Sequence, residues 1–245
     1  MPTMNIVSGA PGDQFRGSST TTQRGHPLGS AMQFADGRRF RYAKMSGTAI
    51  ATAKLCQQTL NDANYDELVV PTARAIGDRT ITLTTGSTAV TVDQLKDGYL
   101  VVEDDTGEGY IYTVKSNAAA ATTATLTVDL YEPLQVAWTT STTVGIFVNP
   151  YAVTIIHPSP ATALLTGWTV VAQAASSFGW LSTWGPTIGL VEGTQVINEG
   201  LIDSATADGA VAPTASTAAG EENYVALTME VTATTEHGLV YAKVS

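Results

Sequence analysis

Apolar and polar residues alternate in short runs along most of the chain. Thr80-Ile81-Thr82-Leu83-Thr84 alternates strictly and stops at Gly86. Tyr99–Val102, Tyr110–Val114 and Thr125–Leu130 follow the same rule, and Asp104–Gly109 joins the first two as a hairpin connection. Glu67–Val70, Ala89–Val92, Val144–Val148 and Ala152–Ile156 are further strand candidates. Short strands at roughly 8–12-residue spacing, with turn residues between them, predict a sandwich or barrel. Pro158-Ser159-Pro160 is the best boundary signal. Beyond it Trp168–Ala172, Phe178–Trp184, Thr187–Leu190, Tyr224–Thr232 and Leu239–Val244 predict a second β-region, with Ser204–Gly220 as a low-complexity loop.

Two of the four tryptophans fall in one stretch, Phe178-Gly179-Trp180-Leu181-Ser182-Thr183-Trp184-Gly185-Pro186. As a regular strand it places Phe178, Trp180 and Trp184 on one face, with Ser182 between them, and Gly179, Leu181, Thr183 and Gly185 on the other. Trp168 falls on the expected neighbouring strand. Each buried aromatic is worth roughly 1.5–3 kcal/mol of apolar burial or more, so these four side chains predict the core, or a seam between copies, of the C-terminal region. A stacking platform for a sugar or base is the alternative use of the same rings.

The first residues behave differently. Residues 1–37 lack hydrophobic periodicity and include the low-complexity run Ser18-Ser19-Thr20-Thr21-Thr22. An extended arm that orders on a partner is the expectation. Asp36-Gly37 signals a turn, and Arg38–Ala43 follows as a strand mixing basic and aromatic groups. Ala49–Leu60 has the composition of a short helix, although a loop or strand fits nearly as well. The fold expectation is therefore all-β with little helix: an extended arm (residues 1–45) followed by two small sandwich or barrel regions (46–160 and 161–245).

Charge sharpens this division. The 245 residues carry a net charge of −10, yet residues 1–54 carry +5 and the remainder −15. Only 14% of residues are charged, against about 25% on average, and threonine, serine, alanine and glycine supply the polarity. A basic arm on an acidic body would be drawn to an acidic surface. Nucleic acid is a rival for Arg38, Arg39, Phe40, Arg41 and Tyr42, but the acidic body would repel phosphates. Direct nucleic-acid binding is therefore not expected.

Catalytic and metal-binding chemistry finds little support. His26, His157 and His237 are scattered, and none has metal-ligand spacing to another histidine or to Cys56, the one cysteine. No phosphate-binding glycine loop or nucleophile motif occurs. Glu103, Asp104, Asp105 and Glu108 cluster around the hairpin; a loose Ca²⁺ site or a glycosidase acid–base pair is the functional alternative to a solvated tip, which is the expectation. The expectation is a non-enzyme without cofactor or metal. A single cysteine suits a reducing compartment. No leader-like start and no run of about 18 apolar residues is present, so no membrane association is expected.

Three stretches give the chain a resemblance: Leu28-Gly29-Ser30 with Phe34–Ala43, Asp97–Leu100 with Gly107–Tyr112, and the aromatic strand Phe178–Pro186. Together they resemble the decoration, or cement, proteins of tailed-bacteriophage capsids. The resemblance implies a structural virion protein made in the bacterial cytoplasm and placed on the capsid exterior. It implies a homotrimer at threefold positions, bound late to the expanded shell and stabilising it against internal DNA pressure. Its partner would be the major capsid protein, met by the N-terminal arm through Arg38, Arg39, Phe40, Arg41, Tyr42 and Lys44. Residues 65–157 form an extra β-region relative to the smallest such proteins, so a tail or fibre component, or a glycan-binding module using exposed tryptophans, remains an alternative.

Overall fold

The computed structural model describes residues 6–16, 25–214 and 224–244. The protein is all-β, with 43% of the described residues in strands and bridges and 3% in short 3-10 turns. The strands are β1 (Val7–Gly9), β2 (Ala31–Phe34), β3 (Arg39–Lys44), β4 (Leu55–Gln58), β5 (Leu68–Val69), β6 (Thr80–Thr84), β7 (Tyr99–Asp104), β8 (Ile111–Asn117) and β9 (Thr125–Leu130). There follow β10 (Thr143–Phe147), β11 (Thr154–Ile156), β12 (Leu165–Thr169), β13 (Phe178–Val191), β14 (Gly200–Asp203), β15 (Ala210–Pro213), β16 (Ala226–Thr228) and β17 (Glu236–Lys243).

The chain folds into two compact units, and their boundaries differ from those expected. One unit is Asn61–Asn149; the other joins Pro2–Leu60 to Pro150–Ser245. The first unit is thus an insertion into the second, and the break falls at Asn149-Pro150 rather than at Pro158–Pro160. In the inserted unit six strands run in the order β5-β10-β7-β8-β9-β6. Their inward residues, among them Leu83, Leu100, Val114, Leu126 and Ile146, form one core together with Trp138 from the β9–β10 connection. The β7–β8 hairpin and the β6–β9 pairing match the alternation in the sequence. Ala89–Val92, expected as a strand, contributes only an isolated bridge from Val90 to Ala120.

The other unit is organised by β13. This 14-residue strand pairs with β3 and β12 along its first half and with β17 and β15 along its second. Around the second half, β13-β15-β14-β16-β17 closes on itself as a five-stranded ring. Val191, Leu201, Val211, Ala226, Val240 and Ala242 share its apolar cluster with Leu55 and Trp168. The first half belongs to a path through β3, β13, β12, β4 and β11, which a bridge from Met45 to Thr154 brings back to the end of β3. Ala43, Met45, Ile50, Cys56 and Leu181 cluster there. The Gly179/Leu181 face of β13 is therefore close-packed, and the Phe178/Trp180 face meets Met32, Phe34, Phe40 and Tyr42 in a separate aromatic cluster.

Three expectations are corrected by this arrangement. Residues 31–34 and 39–44 are not part of an extended arm; β3 is hydrogen-bonded to β2 on one side and β13 on the other. The segment before them also docks on its own unit, with β1 paired to β2 and the 3-10 turn Asp13–Phe15 packed against β13. The low-complexity run Ser18–Thr22 lies outside the described residues. Ala49–Leu60 is not a helix: β4 runs between β11 and β12 with Leu55, Cys56 and Gln57 all buried. Consecutive burial of this kind suits a strand enclosed on both faces, and pairing overrides a weak helix propensity. Finally, β15 lies within the stretch expected as a loop, Ser204–Gly220.

Cys56 is fully buried, and its thiol donates to the Lys54 carbonyl at 3.5 Å. Burial pushes its ionisation far above the ordinary thiol range, so the thiolate that reacts with electrophiles is suppressed. Maleimide labelling of the native protein should be slower than in denaturant by on the order of a thousandfold or more, since reaction requires unfolding; labelling at comparable rates would contradict the burial. The insertion yields a second expectation. A fragment of residues 61–149 should fold cooperatively alone, whereas deleting residues 1–45 should unfold the β13 unit, as read by loss of near-ultraviolet circular dichroism from its tryptophans.

Candidate docking surface

The alternation within β13 breaks at one place, and the break creates the most distinctive surface of this unit. Against β3, Ser182 lies opposite Phe40 but Trp184 lies opposite Arg39. One extra residue, Thr183, sits in the bulge, and its hydroxyl donates to the Arg39 carbonyl at 3.3 Å. A bulge reverses the side-chain alternation that follows it. Trp184 therefore points away from the face of Phe178 and Trp180, contrary to the regular-strand expectation. Gly185 follows with φ +91°, a left-handed conformation that glycine adopts without strain, and leads into Pro186. A proline inside a sheet is tolerated at such an irregularity because the missing N–H is not needed there.

Past the bulge, β13 and β17 present an outward strip. Trp184 pairs with Lys243, Pro186 with Tyr241, and Ile188 with Leu239. The intervening partners, including Val240 and Ala242, face the buried cluster. Trp184 is half-buried, Pro186 and Ile188 are exposed, and Tyr241 and Leu239 are half-buried. Tyr241 packs edge-on to the Trp184 ring, with centroids 5.9 Å apart. Arg39 sits over the other side of that indole, 5.7 Å from its centroid. The strip adjoins a hollow of about 510 Å³ lined by Phe15, Arg38, Phe40, Pro186, Ile188 and Leu239. A smaller hollow, about 230 Å³, lies on the other side of the Asp13–Phe15 turn; Met32, Tyr42, Trp180 and His26 line it beside the Asp13–Arg16 ion pair.

The residues expected to form a basic contact are dispersed rather than gathered. Arg38 is ion-paired to Asp36 at 2.8 Å and lies over the Phe34 ring. Arg39 is exposed beside Trp184, whereas Lys44 lies over Phe178 on the opposite face of the sheet. Arg41 donates to the Gly29 carbonyl at 2.9 Å. Phe40 and Tyr42 are buried in the aromatic cluster. Of the four aromatics expected as core or seam, Trp168, Phe178 and Trp180 are buried, and Trp184 alone reaches the surface. Sequence reading passed over Leu239, Tyr241 and Lys243. The signal was present in the alternation of Gly238, Val240 and Ala242 with these larger residues.

No catalytic or metal-binding constellation assembles among the described residues. His26 packs against Tyr42 and Trp180. His157 is buried between the carbonyls of Pro158 and Ala210, and His237 is exposed. Among the described residues no group of three or more His, Cys, Asp or Glu side chains is placed to hold a metal ion. Among the described residues no helix is long and apolar enough to cross a membrane. No protein-family model, curated protein or solved structure matches the chain.

In the inserted unit the acidic hairpin does hold one perturbed carboxyl. Glu103 lies across Gly145, where a side chain would collide with its carboxylate, and it accepts the Glu67 N–H at 3.0 Å. Desolvation, then the neighbouring Asp66, raises its ionisation above the ordinary glutamate range, against the opposing pull of the Glu67 amide. A raised native value means that the protonated form stabilises the fold; this contribution is present below the unfolded value and is lost as pH rises through the native one. Stability should therefore gain from Glu103 as pH falls through its native value to the ordinary glutamate value of about 4.3, and Glu103→Gln should flatten that gain in pH-dependent urea unfolding. An unchanged profile would refute the assignment.

Proposed function

We propose that the chain is a structural virion protein that decorates and stabilises the outer surface of a tailed-phage head, with the major capsid protein as partner and a homotrimer as its assembled form. The single observation that carries this reading is the outward apolar strip of β13 and β17, which adjoins a hollow and is left uncovered by the other described residues. Contiguous exposed apolar surface of this kind marks an interaction site. The low charge content and the all-β architecture support a part that works by contact. Docking by addition of residues 38–43 to a capsid sheet has no support, because both edges of β3 are already occupied. Contact through the strip takes its place.

The half-exposed Trp184 favours one other reading, a sugar-stacking surface on a tail or fibre component. A single assay separates the two. Expanded heads lacking the protein are mixed with wild-type chain or with Ile188→Asp/Leu239→Asp and sedimented. The wild type should co-sediment at stoichiometric levels, and the variant, still folded by circular dichroism, should lose at least tenfold in affinity. Absence of wild-type binding would overturn the head-decoration reading. Equal binding by the variant would overturn the strip as the contact.

A further inference from the structure

We infer that the end of the strip formed by Arg39, Trp184 and Lys243 is a recognition site for a protein surface that presents carboxylates beside an apolar side chain; this inference rests on the strip being the docking face. The three residues come from adjacent strands and lie in register, with Arg39 opposite Trp184 on β3–β13 and Trp184 opposite Lys243 on β13–β17. Arg39 and Lys243 are exposed, and neither makes an ion pair with another described residue. The other cations of the 38–44 stretch are engaged locally: Arg38 with Asp36, Arg41 with a carbonyl, and Lys44 over Phe178.

The row therefore offers two positive charges with no ion-pair partner among the described residues, on either side of a partly buried indole, within a chain whose net charge is −10. The positive charge is local, so it selects an acidic contact by complementarity rather than by the field of the whole molecule. The guanidinium already lies over the indole, which holds its donors at the surface with little further loss of side-chain freedom. The neighbouring strip, Pro186, Ile188 and Leu239, is apolar and would meet hydrocarbon or ring surface. Nucleic acid fits this pattern poorly. Phosphates would satisfy the two cations but leave the strip uncovered, and the acidic remainder of the chain would repel a longer strand.

Fluorescence gives a direct test, because Trp138, Trp168 and Trp180 are at most 4% exposed and Trp184 is the accessible indole among the four. The full chain is titrated with a random glutamate–tyrosine copolymer, with poly-L-lysine and with oligothymidylate, exciting tryptophan selectively. The copolymer should shift and partly quench the emission, the effect should weaken as salt rises, and Arg39→Gln/Lys243→Gln should bind about tenfold less tightly. If the double variant folds poorly, the salt dependence of the wild type decides alone. Salt-insensitive binding, equal binding by a folded variant, no response to the copolymer, or tighter binding of oligothymidylate would each overturn the inference. Copolymer binding without head binding would instead overturn the head-decoration reading and leave this site standing.

Discussion

The β13 unit depends on one strand that serves two sets of neighbours. Its first half must be narrow enough on one face to let Leu181 pack with Ala43, Met45 and Cys56, and wide enough on the other to fill the aromatic cluster with Phe178 and Trp180. Its second half has to complete a ring with β17 and β15. A regular strand could not supply both with the same alternation. The bulge at Thr183 and the turn of backbone at Gly185 shift the pattern by one residue between the halves. As a consequence Trp184 is moved from the aromatic cluster to the surface. The irregularity that lets the strand serve both halves is thus also the origin of the exposed strip.

On the proposed reading, that strip would let a chain with a modest number of charges be specific. Isolated surface ion pairs contribute little. Two cations with no ion-pair partner among the described residues, beside a partly desolvated ring at the end of an apolar strip, would add direction and register to a contact whose energy came chiefly from apolar burial. The remaining basic groups of the 38–44 stretch are drawn into the protein's own structure. Their side chains lie over Phe34 and Phe178 or reach a backbone carbonyl. A basic segment in sequence therefore became, in the fold, a structural strand with one outward guanidinium beside Trp184.

Much of the architecture was legible in the sequence because it depends on local alternation. The strands of the inserted unit, the hairpin at Asp104–Gly109 and the importance of Phe178–Pro186 all follow from a period of two and from turn residues. The rest depends on pairing between distant segments. Composition made residues 1–45 resemble a free arm, and only the pairing of β3 with β2 and β13 shows that residues 39–44 belong inside a sheet. Ala49–Leu60 carried helix-compatible residues, but the burial of Leu55, Cys56 and Gln57 between two strands decided its conformation. The bulge left no sequence signal stronger than Gly185-Pro186, so the face of Trp184 was misassigned. The partners of Trp184, Tyr241 and Lys243, were overlooked because a short C-terminal strand does not announce which of its faces is covered.

The central claim is that the outward face of β13 and β17 is the side by which this protein meets its partner. The most direct measurement is high-resolution imaging of virus particles that carry the protein, with the chain fitted to the density. The account predicts that Trp184, Ile188, Leu239 and Tyr241 lie against the major capsid protein, with Arg39 and Lys243 close to its carboxylates. Density showing that face open to solvent, with a different surface of the chain on the shell, would contradict it.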